Sequence, residues 1–317
     1  MKSLVAIVGP TGIGKSRIAL HLARKFDGEI VSADSRQVYR HMDIGTAKPS
    51  PQDRAQVRHH LIDIVEPDED FSLAQYQKLA FSAIGDIQQR GKLPLLVGGS
   101  GLYVRAVLEG WQLPQAKPDP ELRHRLEKQV ADAGYEALYQ ELMKIDPAAA
   151  QKIDPRNVRR VIRALEVHGQ TSRTPSRLQY RKALSYRTLL IGLTAERKEL
   201  YRRVDKRVNE MIEQGLVAEV EKLVDLGYDF NLPAMSSIGY KQIAMFLRGE
   251  INLNDAIQQI KYETHRLIRH QYAWFRLDEA RIHWFDMAQA QEAEVEALVS
   301  RFMEGRRNNK EVVSVSE

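Results

Sequence analysis

Apolar residues fall along the chain in two rhythms. Short, largely apolar runs occupy residues 4–8, 30–33, 93–97 and 189–193. Each is bounded by glycine or polar turn residues, the pattern of buried strands. Arg58 to Ile64 also reads as a strand, and Arg281 to Phe285 as a late one. Between these runs the period lengthens to that of helices. Ile18, Ala19 and Leu22 share one face of a helix predicted over about 15–25. Leu73, Tyr76, Ala80, Ile84 and Ile87 share one face of another, opened by a capping box of Ser72 and Gln75 and closed near Gly91. Asp119-Pro120 and Asp154-Pro155 each offer an N-cap followed by proline. The second of these predicts a helix from Pro155 to about His168, stopped by Gly169. Tyr135, Leu138, Leu142 and Ile145 mark a helix between them. Leu200, Val204, Val208, Met211 and Ile212 lie on a long helix starting near Thr194, and a further one runs from about Asn254 to Arg276. Its Trp274-Phe275 pair is expected to pack in the core. The polar tail beyond Gly305 is expected to be disordered.

The opening strand–loop–helix–strand order predicts a parallel α/β fold. Pro114, Pro118 and Pro120 then break the pattern. The expected architecture is a P-loop NTPase-like core over 1–113 and 189–317, with a parallel sheet flanked by helices, and an all-helical insertion over 114–188.

Candidate chemistry begins where the first strand ends. Gly9-Pro10-Thr11-Gly12-Ile13-Gly14-Lys15-Ser16 satisfies G-x-x-x-x-G-K-[ST] between a strand and a helix. Its amides and the helix N-terminus suit phosphate oxygens. Lys15 neutralises a phosphate, and the Ser16 hydroxyl is a ligand for Mg²⁺. The motif specifies a phosphoanhydride with Mg²⁺ and does not single out ATP. Asp34 stands at the end of the second strand, where open α/β sheets collect ligands. It reads equally as a base beside the phosphates or as a turn aspartate. The third buried run ends in Gly98-Gly99-Ser100 rather than in the aspartate that holds Mg²⁺ in many nucleotide hydrolases. Those small residues suggest backbone brought close to a ligand, with Ser100 Oγ as a donor. His59 and His60 are adjacent and would face opposite sides of a strand, so a metal pair is not expected.

Composition narrows the setting. The 317 residues contain no cysteine, which excludes disulfides and zinc–thiolate sites and gives no argument for secretion. The apolar run at residues 4–8 is short for a signal peptide, and no run is long enough to span a membrane, so a cytoplasmic location is expected. The net charge of +5 is uneven. Residues 151–190 hold ten cations against Asp154 and Glu166 alone. With so few acidic partners in sequence, a polyanionic ligand is favoured over a solvated helix face.

Several motifs then coincide: G-P-T-G-x-G-K-S at 9–16, S-A-D-S-R-Q-V-Y at 32–39, M-D-I-G-T-A-K-P at 42–49, H-H-L-I-D at 59–63, G-G-S-G-L-Y at 98–103 and S-S-I-G-Y-K-Q at 236–242. The set closely resembles the bacterial tRNA dimethylallyltransferase family, from the first strand to Arg276. The resemblance implies transfer of a dimethylallyl group from dimethylallyl diphosphate to N6 of the adenosine at tRNA position 37, in the anticodon loop. It implies that residues 9–16 hold the donor diphosphate with Ser16 on Mg²⁺, that Asp34 is the general base, and that Asp34, Ser35, Arg36 and Gln37 contact the flipped adenine. Ser100 stands where the family usually has threonine, and Arg207 matches an arginine that assists the leaving diphosphate. Arg123, Arg159, Arg160, Val161, Ile162 and Arg163, with Ser236, Ser237, Ile238, Gly239, Tyr240 and Lys241, are implied as tRNA contacts. His270 and Ala273 depart from the family's usual basic residue and threonine, which bears only on local tRNA contacts. The protein is expected to act as a monomer. Rival readings are a P-loop kinase or NTPase, a prenyltransferase for free adenine nucleotides, and a non-catalytic RNA-binding module.

Overall fold

The computed structural model describes residues 2–114, 119–171, 186–289 and 292–311. The chain divides into two compact units, residues 1–108 with 184–317, and residues 109–183. The sequence set these changes at 114 and 188. In the larger unit β1 (Lys2–Val8) leads through a loop to α1 (Lys15–Lys25) and β2 (Gly28–Ser32). Then come α2 (Pro51–Gln56), β3 (His59–His60), α3 (Leu73–Gln89), β4 (Leu93–Val97) and α4 (Gly101–Leu108). The smaller unit contains α5 (Pro120–Ala133), α6 (Tyr135–Ile145), α7 (Pro147–Ala150) and α8 (Val158–Thr171). The larger unit resumes with β5 (Tyr186–Thr194), α9 (Arg197–Glu213), α10 (Leu216–Asp225), α11 (Tyr240–Leu247), α12 (Leu253–Trp274), β6 (Ile282–Asp286) and α13 (Glu292–Glu311).

The six strands form one parallel sheet in the order β3-β2-β4-β1-β5-β6. β1 lies between β4 and β5, and its side chains divide by alternation. Leu4, Ala6 and Val8 join Ile84, Leu96 and Val104 on one face, while Val5 and Ile7 join Ile18, Leu95 and Leu193 on the other. Burial on both faces explains why the strands read as unbroken apolar runs. The connections reverse around β1, so the crevice at its carboxyl end is where such a sheet binds ligands. Among the described residues, no helix is long and apolar enough to cross a membrane.

Five expectations are corrected. The stretch 58–64 is not a full strand: only His59 and His60 pair with β2. Leu61 and Asp63 then adopt φ of 65 and 57, which breaks the ladder and turns Asp63 toward Lys48 and Arg54. The helix expected from Pro155 starts at Val158 instead. Asp154 spends Oδ1 on the Arg156 amide two residues on, and the first helical bond runs from the Val161 amide to the Asn157 carbonyl. Gly169 does not stop it, and α8 continues to Thr171. At the other end of the chain, helix α13 extends to Glu311 through the start of the tail expected to be disordered. The aromatic pair divides: Phe275 is buried, and Trp274 is 36% exposed.

One buried charge stitches the sheet edge. Glu29 on β2 is 4% exposed. It accepts from the Arg90 guanidinium at the end of α3 and from His60 Nε2 on β3 at 2.7 Å. The Arg90 bond, with His60 adding to it and burial opposing, holds the Glu29 carboxyl at about 2. This lies below the ordinary value of 4.5, so the stabilisation is complete above that pH and is lost as pH falls from there toward 2. Glu29→Gln is expected to lower stability by on the order of 2 kcal/mol at neutral pH and to flatten the acid limb of the unfolding curve. Urea titration at neutral and acid pH checks this; unchanged midpoints at both would refute it.

Candidate active site

The phosphate loop is shaped by its glycines. Gly9, at φ 141, presses against β5, and a Cβ there would meet the Leu193 carbonyl oxygen at 2.4 Å. Gly14 has φ 100 and caps α1 with no side-chain hydrogen bond, which leaves the first-turn amides of α1 for an anion. Lys15 Nζ lies across the loop, donating to the Gly9 and Pro10 carbonyls at 3.0 and 2.8 Å. Burial pulls its pKa down to about 8; the Asp34 carboxylate opposes the shift and the Arg207 guanidinium adds to it. Ile13 points the other way, into the core at 1% exposure, so its side chain cannot face a ligand and only its backbone can.

Asp34 follows β2 by two residues, in a turn held from several sides. Its Oδ1 accepts from the Arg36 amide at 2.9 Å. The Ser35 amide donates to Ser100 Oγ at 2.9 Å, and that hydroxyl donates to Ser35 Oγ at 3.3 Å. Ser100 therefore ties the two strand ends together. Arg36 reaches the Pro233 carbonyl. Gln37 accepts from Ser32 Oγ and donates to the Thr46 and Ala47 carbonyls, so its amide is engaged by the protein itself. The loop carrying those carbonyls is clamped by Glu219 on α10. That carboxylate accepts from the amides of Asp43, Ile44 and Gly45 and from the Tyr240 hydroxyl. Lys48, its side chain only 1% exposed, fixes the far side on Asp43 and Asp63.

The Gly98-Gly99-Ser100-Gly101 run owes each glycine to close packing. An added Cβ would meet the Ala33 carbonyl oxygen at 2.1 Å from Gly98, Gln271 Nε2 at 2.2 Å from Gly99, and the Trp274 ring at 2.1 Å from Gly101. Gln271 on α12 was not anticipated from the sequence. Nothing local marks it, because it acts on the phosphate loop 260 residues away.

These segments enclose a cavity of about 440 Å³. Lys15, Ser16, Asp34 and Arg207 line it together, with Ile62 and Val97 as an apolar wall. Arg207 projects from α9, and burial lowers its pKa despite Asp34 opposite. Asp53 also lines this cavity. Among the described residues no group of three or more His, Cys, Asp or Glu could hold a metal. His59 and His60 are spent on the Val57 carbonyl and Glu29. The hard oxygen of Ser16 on a phosphate-binding loop therefore fits Mg²⁺ carried mainly by substrate oxygens and water, and would not cage the ion alone.

In the smaller unit, Arg159 and Arg160 are exposed on α8. Val161 and Ile162 are a correction: at 1% and 3% exposure they pack with Leu126, Leu138 and Leu142, and their side chains cannot meet RNA. Within residues 151–190 the two acids each take one of the ten cations. Arg123 and Arg163 both pair with Glu166, whose side chain is fully buried, and Arg156 pairs with Asp154. Arg173, Arg177, Arg181 and Lys182 lie outside the described residues. In residues 236–241 only Ser236 and Lys241 are exposed, with Ile238 half-buried. Ser237, Gly239 and Tyr240 are buried, and the Tyr240 hydroxyl serves Glu219, so the Ser237 and Tyr240 side chains are not RNA contacts.

A G-x-x-x-x-G-K-S loop on a parallel sheet, with a carboxylate and two cations in one crevice and no acid at the end of β4, defines a P-loop-like α/β protein. Residues 37–278 match the family model described as IPP transferase. A protein of Roseiflexus castenholzii named tRNA dimethylallyltransferase is 55% identical over 276 residues, covering 87% of this chain and 90% of the relative. The tRNA isopentenylpyrophosphate transferase of Bacillus halodurans superposes with TM-score 0.71 at 42% identity, covering 99% of both chains. A eukaryotic dimethylallyltransferase captured acting on tRNA superposes with TM-score 0.81 at 27% identity, over 96% of this chain and 80% of that one. The chain belongs to the IPP transferase family.

Proposed function

We propose that this protein transfers a dimethylallyl group from dimethylallyl diphosphate to N6 of the adenosine at position 37 of tRNA, releasing diphosphate. The observation that carries the reading is the meeting of Lys15, Arg207 and Asp34 in one cavity with an apolar wall. The relatives' activities support the same assignment. The loop amides, Lys15 and Arg207 hold the diphosphate. Mg²⁺ on the Ser16 hydroxyl and the phosphate oxygens would neutralise part of the leaving-group charge. Ile62 and Val97 offer the allylic carbons an apolar surface. The adenine amine is a weak nucleophile because its lone pair is delocalised into the ring. As the C–N bond forms and the C–O bond to diphosphate breaks, Asp34 accepts the N6 proton. The base must leave its stack to reach Asp34, which in an unpaired anticodon loop costs only about a few kcal/mol. Arg159, Arg160, Ser236 and Lys241 are the exposed groups for the RNA backbone and loop. One chain carries the phosphate loop, Asp34 and Arg207, consistent with a monomer, and tRNA as acceptor implies the cytoplasm.

The test is incubation with labelled dimethylallyl diphosphate, Mg²⁺ and unmodified tRNA. Label is expected in an adenosine 3′ to the anticodon, with one diphosphate released per transfer. Label on free adenine nucleotide but not tRNA, or phosphate release from ATP without transfer, would overturn the assignment.

A further inference from the structure

We infer that Gln271 is a positioning residue that sets the spacing between the phosphate loop and the Asp34 turn. The inference rests on the proposed reaction, in which those two segments hold the leaving group and the base. The pairing of β1 with β4 ends at Ile7 and Val97, and the two loops continue from there. Gln271 joins those loops. Its Oε1 accepts from the Thr11 amide at 2.8 Å, and its Nε2 donates to the Gly99 carbonyl at 3.2 Å. From Gly99 the chain passes to Ser100, whose hydroxyl accepts from the Ser35 amide, next to Asp34. One buried amide thus links the diphosphate loop to the base through three hydrogen bonds.

The orientation of that amide is forced. Exchanging its oxygen and nitrogen would set donor against donor at Thr11 and acceptor against acceptor at Gly99. Gln271 is 7% exposed and its bond to Gly99 is buried, so losing that bond leaves the Gly99 carbonyl unsatisfied. A Cβ on residue 99 would fall 2.2 Å from Nε2, so glycine there is what admits the bridge. The helix behind it is anchored separately: Tyr272 OH and Thr194 Oγ1 lie 2.8 Å apart. The Thr11 amide is consumed by the bridge, which leaves the other loop amides for phosphate.

A link of this kind governs relative placement more than the affinity of either substrate. Gln271→Met keeps length and packing and removes both bonds. Its kcat is expected to fall by roughly 30-fold or more, with KM for dimethylallyl diphosphate and for tRNA each within about threefold of wild type. Tyr272→Phe, which loses a hydrogen bond from the same helical turn, is expected to melt lower yet keep its kcat. Gln271→Glu supplies the second arm. Its protonated carboxyl can accept from Thr11 and donate to Gly99, whereas its carboxylate cannot donate. The ratio of its kcat to that of wild type is therefore expected to rise at least about fivefold from about pH 8 to about pH 5.5. A kcat for Gln271→Met within about threefold of wild type, or a loss confined to KM, would overturn the inference. Should that variant fail to fold, the pH ratio of Gln271→Glu decides, and a flat ratio rejects the bridge. Absence of transfer by the wild-type protein would reject the proposed reaction itself, and this inference with it.

Discussion

Asp34→Asn is expected to reduce prenyl transfer by about 10³-fold while leaving tRNA binding intact. The substitution is nearly isosteric. Asparagine Oδ1 can still accept from the Arg36 amide, which Asp34 Oδ1 now does at 2.9 Å. The Ser100 contact to Ser35 does not involve the carboxylate, so the turn keeps its shape. What disappears is basicity beside the cations Lys15 and Arg207. Without a base, the N6 proton must leave to water from a crevice built of protein. Single-turnover transfer at saturating donor and tRNA measures the loss, and a filter-binding or gel-shift titration measures the RNA affinity. A rate within tenfold of wild type would remove Asp34 from the role of base.

Lys15→Met is expected to lower kcat/KM for dimethylallyl diphosphate by about 10²–10³-fold, and the wild-type protein should show why through its pH dependence. Burial holds the Lys15 pKa at about 8 before the donor binds. Below that pH the ammonium is already charged and meets the diphosphate without taking up a proton. Above it the lysine of the empty site is neutral, and binding must protonate it. KM for the donor should therefore climb as pH rises past about 8, approaching a limit of about tenfold per pH unit. Lys15→Met should have a high KM with that segment of the profile flattened. A wild-type KM that stays level through this range, or a variant that retains the rise, would assign donor binding to other groups.

Asp34 and Lys15 illustrate what could be read without the fold. Both sit in short motifs whose geometry depends on neighbours a few residues away. Gly9, Gly12 and Gly14 adopt the positive φ that the loop requires, and Ser72 with Gln75 forms the capping box that their spacing announces. The unbroken apolar run at residues 4–8 announced a buried strand, and β1 is buried on both faces. Where two local signals competed, the reading failed. Asp154-Pro155 promised the start of α8, but Asp154 Oδ1 accepts from the Arg156 amide, and α8 begins at Val158 with Val161 and Ile162 packed in the core of the smaller unit. The same packing took those two residues out of reach of RNA. A charge count carries no partners: Glu166, buried, holds Arg163 of its own helix and Arg123 of α5 together.

By itself the sequence determined the parallel α/β core, the helical insertion, the phosphate loop and Asp34 as the carboxylate to watch. The resemblance had named Arg207, and the structure sets it on α9 in the Lys15–Asp34 cavity; tertiary structure alone decided that Glu219 clamps residues 43–45 and that Gln271 reaches Thr11 and Gly99. The physical reason is range. Backbone dihedrals and helix starts answer to adjacent residues, so a motif carries them in its own letters. A glutamine or arginine on a distant helix acquires its role only when the sheet closes and a polar group must be satisfied away from water.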